Sequence, residues 1–98
     1  MITLILSSAN MGDEADAVDF DLWVSFVNEN IDERVGAMVE VDQFRFGATG
    51  PDHIGGASEE QRATIRRLLA VDLWEEFCGE VWARMRRGYD AGRTVYAA

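Results

Sequence analysis

The sequence predicts an α+β fold: a small sheet of two to three strands packed on two main helices, the second long or broken near Asp72. Three observations carry that expectation. Two short β-branched and apolar runs, "ITLILS" and "AMVEVDQFRF", have the composition of strands. Between them, Phe20, Trp23, Val27 and Ile31 recur at i, i+3, i+7 and i+11, which is one face of a helix. A second helical pattern runs from Glu59 to about Arg87. With 98 residues, of which 48% are hydrophobic, the chain has the length and apolar content of a single domain, 1–98, with its own core.

Taken in order, residues 2–7 read as a buried strand, and the polar run after them is a connection. The first helix should cover residues 17–34. Asp16 is placed to cap its N-terminus and Asp19 lies in the first turn, where the dipole favours an anion. Gly36 then sits just past the C-cap. In residues 37–46, Val39 and Val41 share one parity while Phe44 and Phe46 take the other. One long strand with a bulge near Asp42–Gln43 would bring all four to one side. "GATGPDHIGGASEEQ", residues 47–61, holds four glycines and the chain's only proline and histidine. It reads as a flexible loop that runs into a helix. The C-terminal "RTVYA" has the composition of a short edge strand.

The glycine-rich stretch has no phosphate chemistry in it. A P-loop needs G-x-x-x-x-G-K-[ST], and the chain has no lysine. Gly47, Gly50, Gly55 and Gly56 do not fit the dinucleotide spacing either. Ser58 and Gln61 form a capping box around Glu59 and Glu60. Two carboxylates in the first turn satisfy the dipole and would repel a phosphate there.

The second helix poses a geometric problem. At 100° per residue, Ile65, Leu68, Leu69 and Leu73 mark one apolar face. Trp74, Phe77, Cys78, Val81, Trp82 and Met85 mark another, turned by roughly 180°. One straight α-helix cannot bury both against one small core. At about 1.5 Å per residue it would also span about 43 Å, against roughly 33 Å for a compact domain of this length. Two solutions follow: a break near Asp72, or a second copy of the chain covering Trp74, Phe77, Trp82 and Met85. Aromatic and methionine content of that kind is typical of interface cores, so the expectation is a homo-oligomer, a dimer.

Charge points the same way, toward interaction. The chain carries 18 acids and 9 arginines, a formal −9. Residues 1–33 hold eight acids and no base, and the remaining ten acids and nine arginines nearly cancel. A local acidic face follows, with Asp13, Glu14, Asp21, Glu29 and Asp32 as its candidate partner-binding residues. Direct binding to nucleic-acid phosphates or anionic lipid is disfavoured on the same grounds.

No catalytic set appears. His53 is the single histidine and Cys78 the single cysteine, so a zinc cluster and an internal disulfide are excluded. Cys78, between apolar neighbours, reads as a packed thiol. The run "DEADAVDFD" lacks the glycine and closing glutamate of a calcium loop. No run approaches the 18 apolar residues of a membrane span, and "MITLILSS" lacks the basic start of a signal peptide, so a cytoplasmic protein without cofactor is expected. In size, charge and lack of a recognisable site, the chain resembles the small inhibitors encoded by phages and mobile elements, DNA mimics and anti-CRISPR proteins among them. That resemblance of general character implies a non-catalytic protein whose acidic face blocks a basic, nucleic-acid-binding surface of a partner protein. The competing expectation is a homo-oligomeric scaffold, and a small enzyme comes third.

Overall fold

The computed structural model describes residues 1–7, 11, 16–43 and 52–97, and the side chains among them up to residue 92. Its first strand, β1 (Ile2–Leu6), is the centre of a three-stranded sheet ordered β2-β1-β3. Helix α1 (Ala17–Val35) returns the chain, so that β2 (Val39–Gln43) pairs parallel to β1, as a helical crossover allows. Strand β3 (His53–Gly55) pairs antiparallel on the other side. Ile2 lies opposite Val39, and Leu4 lies between Val41 and Ile54. Ile2, Leu4, Leu6, Val39 and Ile54 are all buried on the face that meets the helices. Thr3, Ile5, Glu40, Asp42 and His53 occupy the alternate positions, as a two-residue period requires. The fold is the small α+β arrangement expected.

Local chemistry explains where α1 starts and stops. Asp16 caps it: its Oδ1 accepts from the Asp19 amide at 2.9 Å, and Asp19 Oδ2 accepts from the Asp16 amide at 3.1 Å. This is a capping box built from two aspartates. Gly36 closes the helix in the left-handed region (φ 75°), its amide donating to the Asp32 carbonyl at 2.8 Å. Asp32 then reaches forward, its Oδ1 accepting from the Val39 amide at 2.9 Å, and so fixes where β2 begins.

Within the glycine-rich stretch the structure corrects the expectation of a loop. His53–Gly55 is a strand, held to β1 at Thr3 and Ile5. A three-residue strand with one inward side chain, Ile54, is too short to show a period. Gly56 follows with φ 69°, and a Cβ there would lie 2.6 Å from the Met1 carbonyl oxygen. Only glycine fits that approach. The kinked extension of β2 through Phe44 and Phe46 lies outside the described residues. The C-terminal edge strand is also corrected, because residues 93–97 continue a helix.

The second helix resolves the two-face problem without a break at Asp72. It runs as α2 (Glu59–Arg67), a π turn at Leu68–Asp72, α3 (Leu73–Glu76), a second π turn at Phe77–Val81, and α4 (Trp82–Ala97). The Ser58–Gln61 capping box opens it as expected. Asp72 makes no side-chain cap. Instead the Leu73 amide donates to the Leu68 carbonyl, and the Trp82 amide to the Phe77 carbonyl, both i to i+5. Each π turn holds one residue more than an α turn, so each displaces the following residues by about 100° of helical phase. Two displacements of about 100° nearly cancel the offset between the two apolar faces. Ile65, Leu68, Leu69, Leu73 and Phe77 are therefore all buried in one core, with Trp74, Val81, Trp82 and Met85 packed against it. The molecule extends 49 Å along its longest axis and 28 Å and 22 Å across, so the helix outruns the sheet it covers.

Candidate functional site

The residues expected at a self-association face turn inward. Phe77 is fully buried, and Trp74, Trp82 and Met85 lie half-buried against the chain's own core. Trp74 meets Trp23 edge to face at 5.1 Å, and Phe77 stacks on Trp82 at 5.2 Å. The premise that one copy cannot satisfy both apolar faces therefore falls. Among the described residues, the large apolar side chains left exposed are Met1, Met38, Val71 and Tyr89.

A polar latch joins the aromatic cluster to the start of α1. Asp19 is buried, and its Oδ1 accepts from Trp82 Nε1 at 2.8 Å and from Arg86 Nη1 at 3.0 Å. Arg86 also meets both carboxylate oxygens of Asp16 at 3.0 Å and Asp90 through Nε at 3.3 Å. The Asp19 amide, and then Arg86, hold the Asp16 carboxyl below its ordinary value. The same carboxylates raise the Arg86 guanidinium further above its own. The sequence reading missed Arg86; its one visible signal is an acid at the third position of α1, where a cation from elsewhere can reach it.

The acidic face is partly assembled. Asp13 and Glu14 lie outside the described residues. Asp21, Glu29 and Asp32 fall on the solvent side of α1, Asp21 half-exposed and the other two exposed, with Asn28 and Glu33 exposed beside them. Asp32 is at the same time a structural acceptor for β2. Glu40 and Asp42 add two more exposed carboxylates on the strand that follows. Arg34, the one base on α1, is held by Glu76 at 2.7 Å. That pair leaves the surface of α1 with an acidic excess.

A cavity of about 260 Å³ opens between the helices and the start of β3. Trp23, Leu69, Ala70, Trp74 and Asp52 line it. Asp52 is half-buried, and its Oδ1 accepts from the Ser7 amide at 2.8 Å. Burial pushes its carboxyl above the ordinary value, and the Ser7 bond opposes that only in part. Nothing local in the sequence marks Asp52, whose partner lies 45 positions away.

His53 and Cys78 are the remaining candidates. His53 is exposed on the sheet. Cys78, expected as a packed thiol, instead lies on the exposed side of the second π turn, and the desolvation it does feel pushes its thiol up, away from reactivity. The π turn accounts for this correction, since it rotates Cys78 off the apolar stripe. Among the described residues no three His, Cys, Asp or Glu side chains gather as a metal site, and no helix is long and apolar enough to cross a membrane. No family model matches the chain, and neither a curated protein nor a solved structure matches it. What fold and surface define is a class only: a small α+β protein with an acidic first helix and, among the described residues, a cavity walled by two tryptophans.

Proposed function

We propose that this is a small, non-catalytic interaction protein whose acidic face occupies a basic surface of a partner protein, blocking its nucleic-acid binding as a DNA mimic does. The observation that carries the reading is the segregation of charge. Residues 1–33 hold eight acids and no base, and the acids at the centre of α1 point to solvent while Arg34 is neutralised by Glu76. Surfaces of one sign steer and select oppositely charged partners more than they add raw affinity. Binding of this kind weakens steeply with salt, because the charges are exposed.

The test begins with a nucleic-acid-binding protein of the native host captured on this chain. Its affinity is then measured across a salt series, with and without the nucleic acid as competitor. Replacing Asp21→Asn, Glu29→Gln and Asp32→Asn together should weaken binding about tenfold at low salt, since each exposed charge contributes roughly 0.2–1 kcal/mol. Asn at position 32 keeps the acceptor for the Val39 amide. An unchanged dissociation constant, or binding indifferent to salt, overturns the proposal. Salt-insensitive self-association in sedimentation equilibrium would instead favour the scaffold reading.

A further inference from the structure

The cavity between Trp23, Trp74 and Asp52 has a composition that selects a ligand. At about 260 Å³ it lies just below the roughly 300–1,000 Å³ of ordinary small-molecule sites, so it suits one side chain better than a cofactor. Two indoles at 89° to each other form its aromatic part. Leu69 and Ala70 supply aliphatic wall, and Ala70 is exposed at the surface, so the space communicates with solvent. Asp52 contributes a half-buried carboxylate, for which the Ser7 amide is the single donor recorded among the described residues. Among the described residues no arginine pairs with Asp52, and a carboxylate partly stripped of water without a cation is left undercompensated. Indole faces attract cations, and most strongly where water is excluded.

We propose that this cavity receives an arginine side chain from the basic partner, its guanidinium held between the two tryptophans and the Asp52 carboxylate. The inference rests on the proposed function and deepens it: the α1 face attracts a basic surface, and the cavity anchors one residue of it. Arginine is favoured over lysine because a planar, weakly hydrated guanidinium stacks on aromatic rings and forks onto a carboxylate. Its methylene stem would lie along Leu69 and Ala70, as long basic side chains do on apolar surface.

N-acetyl-arginine amide serves as the probe, with its lysine and citrulline counterparts, and the indole N–H signals of Trp23 and Trp74 report by NMR. Arginine amide should shift these signals saturably and bring the Asp52 carboxyl down from its raised value. Citrulline, with the same shape and no charge, should do neither. Asp52→Asn, which keeps an acceptor for Ser7, should weaken arginine binding about tenfold. Ala70→Phe fills the mouth from an exposed position and should abolish binding with the fold intact. Equal shifts with citrulline, unchanged binding by Asp52→Asn, or perturbation confined to Glu29 and its neighbours overturns the proposal. Lysine binding as tightly as arginine overturns the guanidinium assignment. The two proposals fail separately. An occupied cavity with partner binding indifferent to the α1 triple variant defeats the acidic-face reading alone. Salt-dependent partner binding through α1 with an empty cavity defeats this inference alone.

Discussion

Deleting Val71 tests the account of the long helix most directly. Val71 lies in the first π turn and is 40% exposed, so its own side chain contributes little to the core. Removing it leaves an α turn with one residue fewer, so every later residue keeps its helical phase. Leu73 and Phe77, both 0% exposed, should stay in the core, and Trp82 should keep its bond to Asp19. The expected loss is about 1 kcal/mol or less. Glu75 is the contrast: it is exposed in α3, and deleting it takes a residue from an α turn. Whichever π turn adjusts, Leu73 or Phe77 is then rotated by about 100° out of the core. At about 1.5–3 kcal/mol for a buried side chain, that is a large share of a stability of about 5–15 kcal/mol. Urea denaturation followed by tryptophan fluorescence reads both. A Val71 deletion as costly as the Glu75 deletion would refute the idea that π turns bring the two faces together.

Two further outcomes follow from the caps and the latch. Arg86→Gln should flatten the acid limb of the stability curve. The folded Asp16 carboxyl titrates below its ordinary value of 3.8, so its contribution is present above that pH and is lost as pH falls through the folded value. A pH series of urea midpoints between about pH 5 and pH 2 compares the slopes, and equal slopes in both proteins would dismiss the latch. Gly56→Ala should destabilise by about 1–3 kcal/mol, combining a positive φ with a contact on the Met1 carbonyl. Gly36→Ala, with a similar φ but nothing within 4 Å, should cost only the conformational part, about 1 kcal/mol; equal thermal shifts for the two would discount the Met1 contact.

What was legible in the sequence follows from how local each signal is. Asp16, Gly36 and the Ser58–Gln61 box are fixed by hydrogen bonds three or four residues long, and the structure forms all three. The stripe from Phe20 to Ile31 repeats over several turns, and it is buried as expected. Strand β3 escaped because a single inward residue, Ile54, carries no repeat. The end of α4 escaped because Thr94 and Val95 favour strands, and the continuing helix overrides that preference. The cavity escaped for a different reason. Trp23 lies on α1, Trp74 on α3 and Asp52 just before β3, and only the packed fold brings them together.

The second helix shows how a correct observation can rest an expectation on the wrong premise. The apolar residues from Ile65 to Met85 do lie on two faces about 180° apart, but only if every turn holds 3.6 residues. The dimer expectation took that geometry for granted and sought a second copy to cover the excess face. The i to i+5 bonds at Leu68 and Phe77 change the geometry instead, and the excess face becomes the second half of a single stripe. Poorer hydrogen bonding in two turns is offset by burying Phe77 completely and by seating Trp82 over Asp19. The same device bears on the site. Turning Trp74 inward leaves it against Trp23 and beside Asp52, so the residue first assigned to an interface between copies becomes a wall of the cavity proposed to take a partner's arginine.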